Sequence, residues 1–224
     1  MNTDYDNFLA LVRARYSCRA FKPDPVPDAV IEQIVRAAGH AASWCNSQPW
    51  LATITRGDET ARFRDALLAH QASASPAADL PWPKGYPGAT GARRRTCGFQ
   101  LYGALGIERE DYAARQDQHL ENYHLFGAPH VAIISSEADL GPYGALDCGG
   151  FVTAFMLAAT SLGVNTIAQA SVAAYPDFIR AHFGLPDTRL ILCAISFGFE
   201  DPDHPANSFR TERAELGDIY DPRG

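Results

Sequence analysis

Two arginines and a serine lie close together near the start of the chain, in the order Arg15-x-Ser17-x-Arg19. Guanidinium groups bind phosphate through charge-assisted hydrogen bonds, and a hydroxyl beside them can donate another. The same residues could instead form a solvated helix end, because cations are favourable near a helix C-terminus. Their spacing is compatible with both a phosphate site and a helix end.

Two further polar stretches could contact a ligand. Residues 43–48, Ser-Trp-Cys-Asn-Ser-Gln, are dense in side-chain hydrogen-bonding groups, although such a loop taken alone is more often a satisfied turn. Residues 168–171, Ala-Gln-Ala-Ser, come at the end of a short apolar run. They offer backbone N–H groups and one side-chain amide, which the polar edge of a cofactor would require.

The sequence lacks the short motifs of several other chemistries. It contains no Gly-x-Gly-x-x-Gly, no Gly-x-x-x-x-Gly-Lys-Ser/Thr, no His-Glu-x-x-His and no Gly-x-Ser-x-Gly. His119 and His124 are five residues apart, which differs from the i, i+4 spacing of helical metal sites. The five cysteines are odd in number and widely spaced, so we expect neither a metal site nor a disulfide framework.

Length and composition indicate one soluble globular domain. The chain has 224 residues, of which 46% are hydrophobic and 11% aromatic. Its net charge of −7 argues against a nucleic-acid partner, which normally requires a basic face. We also expect a cytoplasmic protein without membrane contact, because no secretory apolar region precedes residue 17 and the most apolar segment is too short to span a bilayer.

That apolar segment, Phe151 to Leu162, is the one around which we expect the other elements to be arranged. It leaves almost no polar face, whereas an ordinary surface helix shows one apolar stripe. The pattern predicts a helix buried on nearly all sides, either in the centre of one core or against its copy in a dimer. Gly163 should end the helix, and residues 164–170 should form a short buried strand.

The remaining periodicities predict more helices than strands. Because the strands are separated by more than one helix, an α+β sheet is favoured over a doubly wound one. Residues 71–91 change to Ala, Ser, Pro and Gly around Trp82 and Tyr86, which is typical of a lid or a mobile segment. We predict helices at 5–16, 28–38, 59–70, 92–105, 109–125 and 176–183, and strands at 50–55, 129–135 and 190–197.

Five segments, taken together, resemble the FMN-dependent nitroreductase family from Tyr16 to Leu216. In chain order they are RYSCRAF, SWCNSQPW, NYHLFGAPHVAI, FVTAFMLAATSLGVNT with AQAS behind it, and NSFRTER. The resemblance implies a single α+β domain with a mixed, mostly antiparallel sheet flanked by helices. It also implies an intertwined homodimer with one FMN in each of two interface clefts, and a C-terminal tail, residues 198–224, that reaches the partner subunit.

The resemblance also implies which residues form the site. Arg15, Tyr16, Ser17 and Arg19 match the phosphate, ribityl and pyrimidine contacts, and Arg210 and Arg213 match the closing phosphate cations. The partner subunit would supply Ser43, Trp44 and Asn46. Backbone groups of Ala168, Gln169 and Ala170 would lie near the hydride-accepting flavin nitrogen, while Cys45, Trp82 and Tyr86 would face the substrate.

The activity implied is hydride transfer from NADH or NADPH to a nitroaromatic, a quinone or a similar flat small molecule. The flavin would carry the redox chemistry, so no protein acid or nucleophile is required. The sequence indeed shows no catalytic triad and no carboxylate pair. Alternatives are a dehydrogenase, dehalogenase or flavin-degrading enzyme of the same fold, or a flavin-binding protein without turnover.

Overall fold

The computed structural model describes residues 3–223, which fold into eight helices and four strands joined by short 3-10 turns. The strands are β1 Leu51–Ile54, β2 His130–Glu137, β3 Asn165–Gln169 and β4 Arg189–Gly198. The helices are α1 Thr3–Ala14, α2 Asp28–Ala38, α3 Asp58–Gln71, α4 Gly88–Leu105, α5 Tyr112–Leu120, α6 Gly141–Ser161, α7 Pro176–Phe183 and α8 Leu216–Ile219.

The four strands form one sheet in the order β1-β2-β4-β3, and every neighbouring pair is antiparallel. One isolated parallel bridge, between Ser17 and Thr166, extends the sheet beyond β3. The predicted α+β class, with a mostly antiparallel sheet flanked by helices, is therefore confirmed. The order also places β1 and β3 at opposite edges, about 14 Å apart at the usual strand spacing.

Alternate residues of the central strands face two separate hydrophobic clusters. On β2, Ala132 and Ile134 pack with α2 and α6, whereas Val131 and Ile133 pack with α3 and α7. This is the period of two expected when both faces of a sheet are covered. Burial on both faces fixes the register, since a slip of one residue would exchange the two sets of side chains.

Helix α6 begins ten residues before the predicted start at Phe151 and buries only one face in the single chain. Cys148, Phe151, Phe155 and Ala159 are in the core, while Leu146 is 68% exposed. Residues 138–161 are long and apolar enough to span a membrane by length and composition alone. However, their buried face packs against α2, β2 and β3, as a core helix of a soluble protein does.

Several boundaries differ from the predicted ones. Helix α4 starts at Gly88, inside the stretch predicted as loop, and α1 ends at Ala14 instead of residue 16. Helix α5 covers only part of the predicted 109–125 segment. It is capped by Asp111, which accepts from the Ala114 N–H, and the chain later turns through Leu125 and Phe126 in the left-handed region. Pattern alone does not reveal such a turn, because both residues are apolar.

The loop between α3 and α4, residues 72–87, is anchored at its centre by a buried ion pair. Arg180 of α7 donates to both carboxylate oxygens of Asp79, at 2.7 and 3.2 Å, and the Ile191 N–H donates to the same carboxylate. The two charged side chains are only 10% and 12% exposed. Asp79 also raises the pKa of Arg180, because the carboxylate stabilises the charged guanidinium. The first half of the loop is thus fixed to α7 and β4.

Removing Asp79 should destabilise the fold, since Arg180 would keep a charge in a buried position. Asp79→Asn is expected to lower the free energy of unfolding by about 3 to 5 kcal/mol. Asp177 offers a matched control because it contacts the same guanidinium at 2.6 Å but is 93% exposed. Asp177→Asn should cost at most about 1 kcal/mol. Urea unfolding at one fixed protein concentration measures both, and equal losses would contradict the anchoring role.

Candidate functional site

The segment after α1 is held against the outer edge of β3. The Cys18 N–H donates to the Thr166 carbonyl at 3.0 Å, and Ser17 bridges Thr166 in parallel. Cys18 itself is fully buried. Because successive side chains of an extended segment point to opposite sides, the chain can bury Cys18 while Ser17 and Arg19 stay partly accessible.

The C-terminal tail returns to the same segment and is fixed there by Asn207. The buried Asn207 amide donates to the carbonyls of Ala20 and Asp201, both at 2.9 Å, and its oxygen accepts from the Arg19 N–H at 2.8 Å. A further bridge pairs Phe21 with Glu200. Asn207 thereby positions the arginines that follow it beside those that follow α1.

These two segments enclose a cavity of about 90 Å³ that is lined by arginine. Among the residues the structure describes, none of its four arginines forms an ion pair with a carboxylate. The guanidiniums of Arg19, Arg210 and Arg213 instead donate to backbone carbonyls, which are those of Ser17, Asn207 and Thr211 in turn. The cavity contains six of the predicted site residues, which are Arg15, Tyr16, Ser17, Arg19, Arg210 and Arg213.

The electrostatics of this cavity favour an anion. Burial lowers the pKa of Arg15, and the like charge of Arg213 lowers it further. Burial also lowers the pKa of Arg19. Arginine keeps its proton in proteins, so these downward shifts report positive charge that lacks compensation. A phosphate would supply both the missing negative charge and several hydrogen-bond acceptors.

Tyr16 connects the cavity to a carboxylate outside it. Its hydroxyl donates to Glu200, and its pKa is raised because the phenol is desolvated and because its neutral form donates a hydrogen bond to the Glu200 carboxylate. The Arg210 guanidinium lies 3.5 Å from the centre of the Tyr16 ring, a cation–π contact. Tyr16 therefore stays neutral and holds Arg210 by its aromatic face.

The outer edge of β3 lies beside the segment that lines the cavity. The backbone of Thr166 points away from β4 and pairs with residues 17 and 18. Residues two apart in a strand direct their backbone groups to the same side, so the N–H and C=O of Ala168 also point away from β4. Ala168 and Ala170 are exposed, with only a methyl group each. Gln169 is buried: its amide donates to the Asn122 carbonyl at 2.8 Å and accepts from the Ser196 hydroxyl at 2.5 Å. The side-chain amide is thus engaged inside the protein, and backbone groups remain for a ligand.

The loop containing Ser43, Trp44, Cys45 and Asn46 does not line the arginine cavity. It precedes β1, at the opposite edge of the sheet, where the Trp44 N–H donates to Asp147 of α6 and its ring packs edge-on against Tyr143 at 4.3 Å. The Ser43 hydroxyl accepts from the Gln48 N–H, which closes the loop. Cys45, Asn46 and Gln48 all have positive φ angles. The loop is therefore both a satisfied turn and an exposed, strained surface.

The two predicted substrate-side aromatics lie in the α3–α4 loop and are about half exposed, at 48% for Trp82 and 50% for Tyr86. The Arg94 guanidinium of α4 lies 5.2 Å from the Tyr86 ring centre. A Cβ on Gly91 would come within 2.4 Å of the Tyr86 carbonyl, so the loop needs glycine there. Tyr86 is consequently held against the start of α4.

Three residues of the cavity wall were not predicted: Cys97, Phe209 and Thr211. Phe209 and Thr211 lie beside predicted arginines, with the Phe209 ring 5.7 Å from the Arg19 guanidinium. Both lie within the NSFRTER segment, so their position next to the predicted arginines could have identified them. Cys97 comes from α4, more than 70 residues away from either segment, and nothing in its surroundings in the sequence marks it.

The fold and the cavity define an α+β protein with an anion site beside a strand edge. The chain belongs to the nitroreductase family, whose model matches residues 12–199. Nitroreductase NfnB of Mycolicibacterium smegmatis is 34% identical over 209 residues, covering 93% of this chain and 89% of the relative. A 4-nitrobenzoate reductase of Pseudomonas putida is 34% identical over 212 residues, covering 93% and 92%. The crystal structure of the FMN-dependent nitroreductase NfnB from Mycobacterium smegmatis in complex with NADPH matches with a TM-score of 0.93 and 32% identity, covering 98% of this chain and 99% of that one.

Phosphate should stabilise the FMN-free protein more than chloride does at equal ionic strength, because it compensates the repulsion among the cavity arginines. At ten times its dissociation constant, the gain in unfolding free energy is about 1.4 kcal/mol. Arg15→Gln should remove most of that gain. Arg223→Gln, which changes an exposed arginine paired with Asp221, should keep it. Thermal unfolding in the two salts measures the difference, and an undiminished gain in Arg15→Gln would place the anion elsewhere.

Proposed function

We propose that this protein is an FMN-dependent oxidoreductase that transfers hydride from NADH or NADPH to a nitroaromatic, a quinone or a similar flat acceptor. The observation that carries the proposal is the four-arginine cavity without a carboxylate partner, whose Ser17 pairs with the outer edge of β3, where Ala168 is exposed. Membership of the nitroreductase family supports it, as do relatives named for nitroaromatic reduction.

The residues of this chain fit a mononucleotide. A cavity of about 90 Å³ is suited to one phosphate group, and its arginines supply the charge. Ala168 and Ala170 have small side chains, so a flat ring can approach the backbone groups of this strand edge. Exposed aromatic rings at Trp82 and Tyr86 offer a further apolar wall for planar molecules.

FMN, when bound, supplies the acceptance and donation of hydride. The chain contributes binding, orientation and charge. Arg15, Arg210 and Arg213 hold the phosphate, and Tyr16 and Ser17 position the chain beside it. Arg19 is fixed through the Ser17 carbonyl and the Phe209 ring. It would provide a fixed positive charge beside the flavin ring, on which negative charge develops during reduction. Backbone groups of residues 168–170 orient the polar edge of the ring.

We further propose that the functional unit is an intertwined homodimer in which the partner supplies Ser43, Trp44 and Asn46. Within one chain this loop and the arginine cavity lie at opposite edges of the sheet. Helix α1 has no buried side chain, with Tyr5 59% and Phe8 56% exposed, and α6 leaves apolar faces open. Such surfaces are typical of an obligate interface.

The C-terminal tail, residues 198–224, is the last part of this proposed assembly. Its described part contacts its own chain through Asn207 and through an ion pair between Arg93 and Asp218. Leu216, Ile219 and Tyr220 nevertheless remain more than half exposed. We assign these apolar side chains to contact with the partner subunit, within a single domain that comprises residues 1–224.

A cytoplasmic location and the absence of nucleic-acid or membrane partners complete the proposal. All five cysteines are free, as is usual in a reducing compartment. Burial raises the pKa of Cys18 and of Cys148 to about 11, so these thiols stay protonated and unreactive. The net charge of −7 is unfavourable for a polyanionic partner.

The function can be tested with purified protein. It should be yellow, release FMN on denaturation, and oxidise NADPH when 4-nitrobenzoate or a quinone is added. Arg213→Ala should weaken FMN binding by about 1.5 to 3 kcal/mol, the value of one charged hydrogen bond, because the other arginines remain. Arg223→Ala is the control and should leave FMN affinity unchanged.

Four outcomes would count against parts of the proposal. Release of FAD, or a colourless protein that does not take up FMN, would contradict the cofactor. Bound FMN without NADPH turnover would favour a carrier, and turnover only with halogenated or saturated substrates would favour a dehalogenase or dehydrogenase of the same fold.

A further inference from the structure

A second, larger groove runs between α4 and the segment that leads into α5. It measures about 700 Å³, within the range of small-molecule sites. Gly98 and Gly103 of α4 line it, and a Cβ added at either position would meet no atom within 4 Å. The glycines therefore leave open space along this face of the helix.

The groove is strongly basic. Arg94 and Arg95 of α4 line it together with Arg109 and Arg115. Among the described residues none of these four arginines forms an ion pair, and no acidic residue is part of the lining. This contrasts with the neighbouring Arg93, which is paired with Asp218 at 2.9 Å. In a chain of net charge −7, four arginines outside any ion pair favour an anionic ligand.

Aromatic rings lie beside these charges. The Arg115 guanidinium is 4.9 Å from the centre of the Tyr102 ring and donates to the Arg109 carbonyl at 3.1 Å, so it is held in one orientation. Phe99, 64% exposed, presents a second ring in the same groove. Arginines together with accessible rings suit a ligand that carries both phosphate and a flat base.

The groove adjoins the arginine cavity, because Cys97 of α4 lines both. An extended ligand in the groove would therefore have one end beside the proposed flavin site. A small carboxylated acceptor would use one or two arginines and a small part of 700 Å³. A dinucleotide with an additional phosphate on its adenosine ribose accounts better for the size, the four cations and the rings.

We propose that this groove binds the adenosine end of NADPH, with Arg109 and Arg115 contacting the 2′-phosphate, so that the enzyme prefers NADPH over NADH. This inference depends on the proposed function only for the identity of the electron donor. The preference for NADPH arises because NADH lacks the 2′-phosphate, whose negative charge would compensate the positive charge of the two guanidiniums.

Titration calorimetry tests the groove without turnover. Adenosine 2′,5′-bisphosphate should bind the purified flavoprotein at least about tenfold more tightly than 5′-AMP, since one charge-assisted contact is worth that factor. Arg109→Gln with Arg115→Gln should abolish the difference. Arg62→Gln is the control, because Arg62 lies on the exposed face of α3, paired with Glu59 and outside the groove. Equal binding of the two nucleotides by the parent protein would overturn the proposal.

Steady-state kinetics provide the second readout. In Arg109→Gln with Arg115→Gln, the KM for NADPH should rise about tenfold or more while that for NADH changes less than about twofold. Equal changes for both donors, or a rise only in the KM of a carboxylated acceptor such as 4-nitrobenzoate, would contradict the assignment. Failure of the parent protein to oxidise either donor would refute the proposed function, and the calorimetric comparison would still decide whether the groove recognises a 2′-phosphate.

Discussion

The site depends on a cluster of positive charge that the chain holds without carboxylate partners. Burying these guanidiniums around about 90 Å³ is unfavourable by itself: desolvation lowers the pKa of Arg15 and of Arg19, and the like charge of Arg213 lowers that of Arg15 further. The cost is met by the surrounding backbone: the bridge from Ser17 to Thr166 fixes one segment, and the three hydrogen bonds of Asn207 fix the other. The fold thus holds the arginines in an electrostatically unfavourable arrangement, which binding of an anion relieves.

The second constraint is the strand order. In a four-stranded sheet ordered β1-β2-β4-β3, the loop before β1 and the free edge of β3 lie at opposite edges of the sheet, and the loop does not line the arginine cavity of its own chain. Exposed apolar faces on α1 and α6 provide the surface through which a second copy could complete the site. On this account, dimer formation and cofactor binding are linked, since the strand order separates the two parts of the site within one chain and a second copy would bring them together.

Hydrophobic periodicity and helix start and stop residues predict the elements that are determined by local interactions. Helices α2 and α7 begin and end at the predicted residues, because each combines one apolar stripe with a clear start or stop. The start of α6 was missed because Gly141, Pro142 and Gly144 are poor helix formers. Packing overrides that preference, since a Cβ on Gly144 would come within 2.7 Å of the Ser136 hydroxyl of β2. The anchoring of Asp79 by Arg180 and the place of Cys97 in the cavity wall join residues far apart in the chain, which no periodicity encodes.

The most direct test is complementation between two defective subunits. If the protein is the homodimer proposed above, Arg213→Ala and Asn46→Ala chains that are coexpressed with different tags and purified through both will form dimers that contain one of each. If the site combines arginines of one chain with the loop of the other, one of the two sites in a twofold dimer is free of both changes. FMN titration should then show half of the sites with the parent affinity, although neither homodimer has any. Uniformly weakened binding at every site would mean that each chain completes its own site, and would contradict the account.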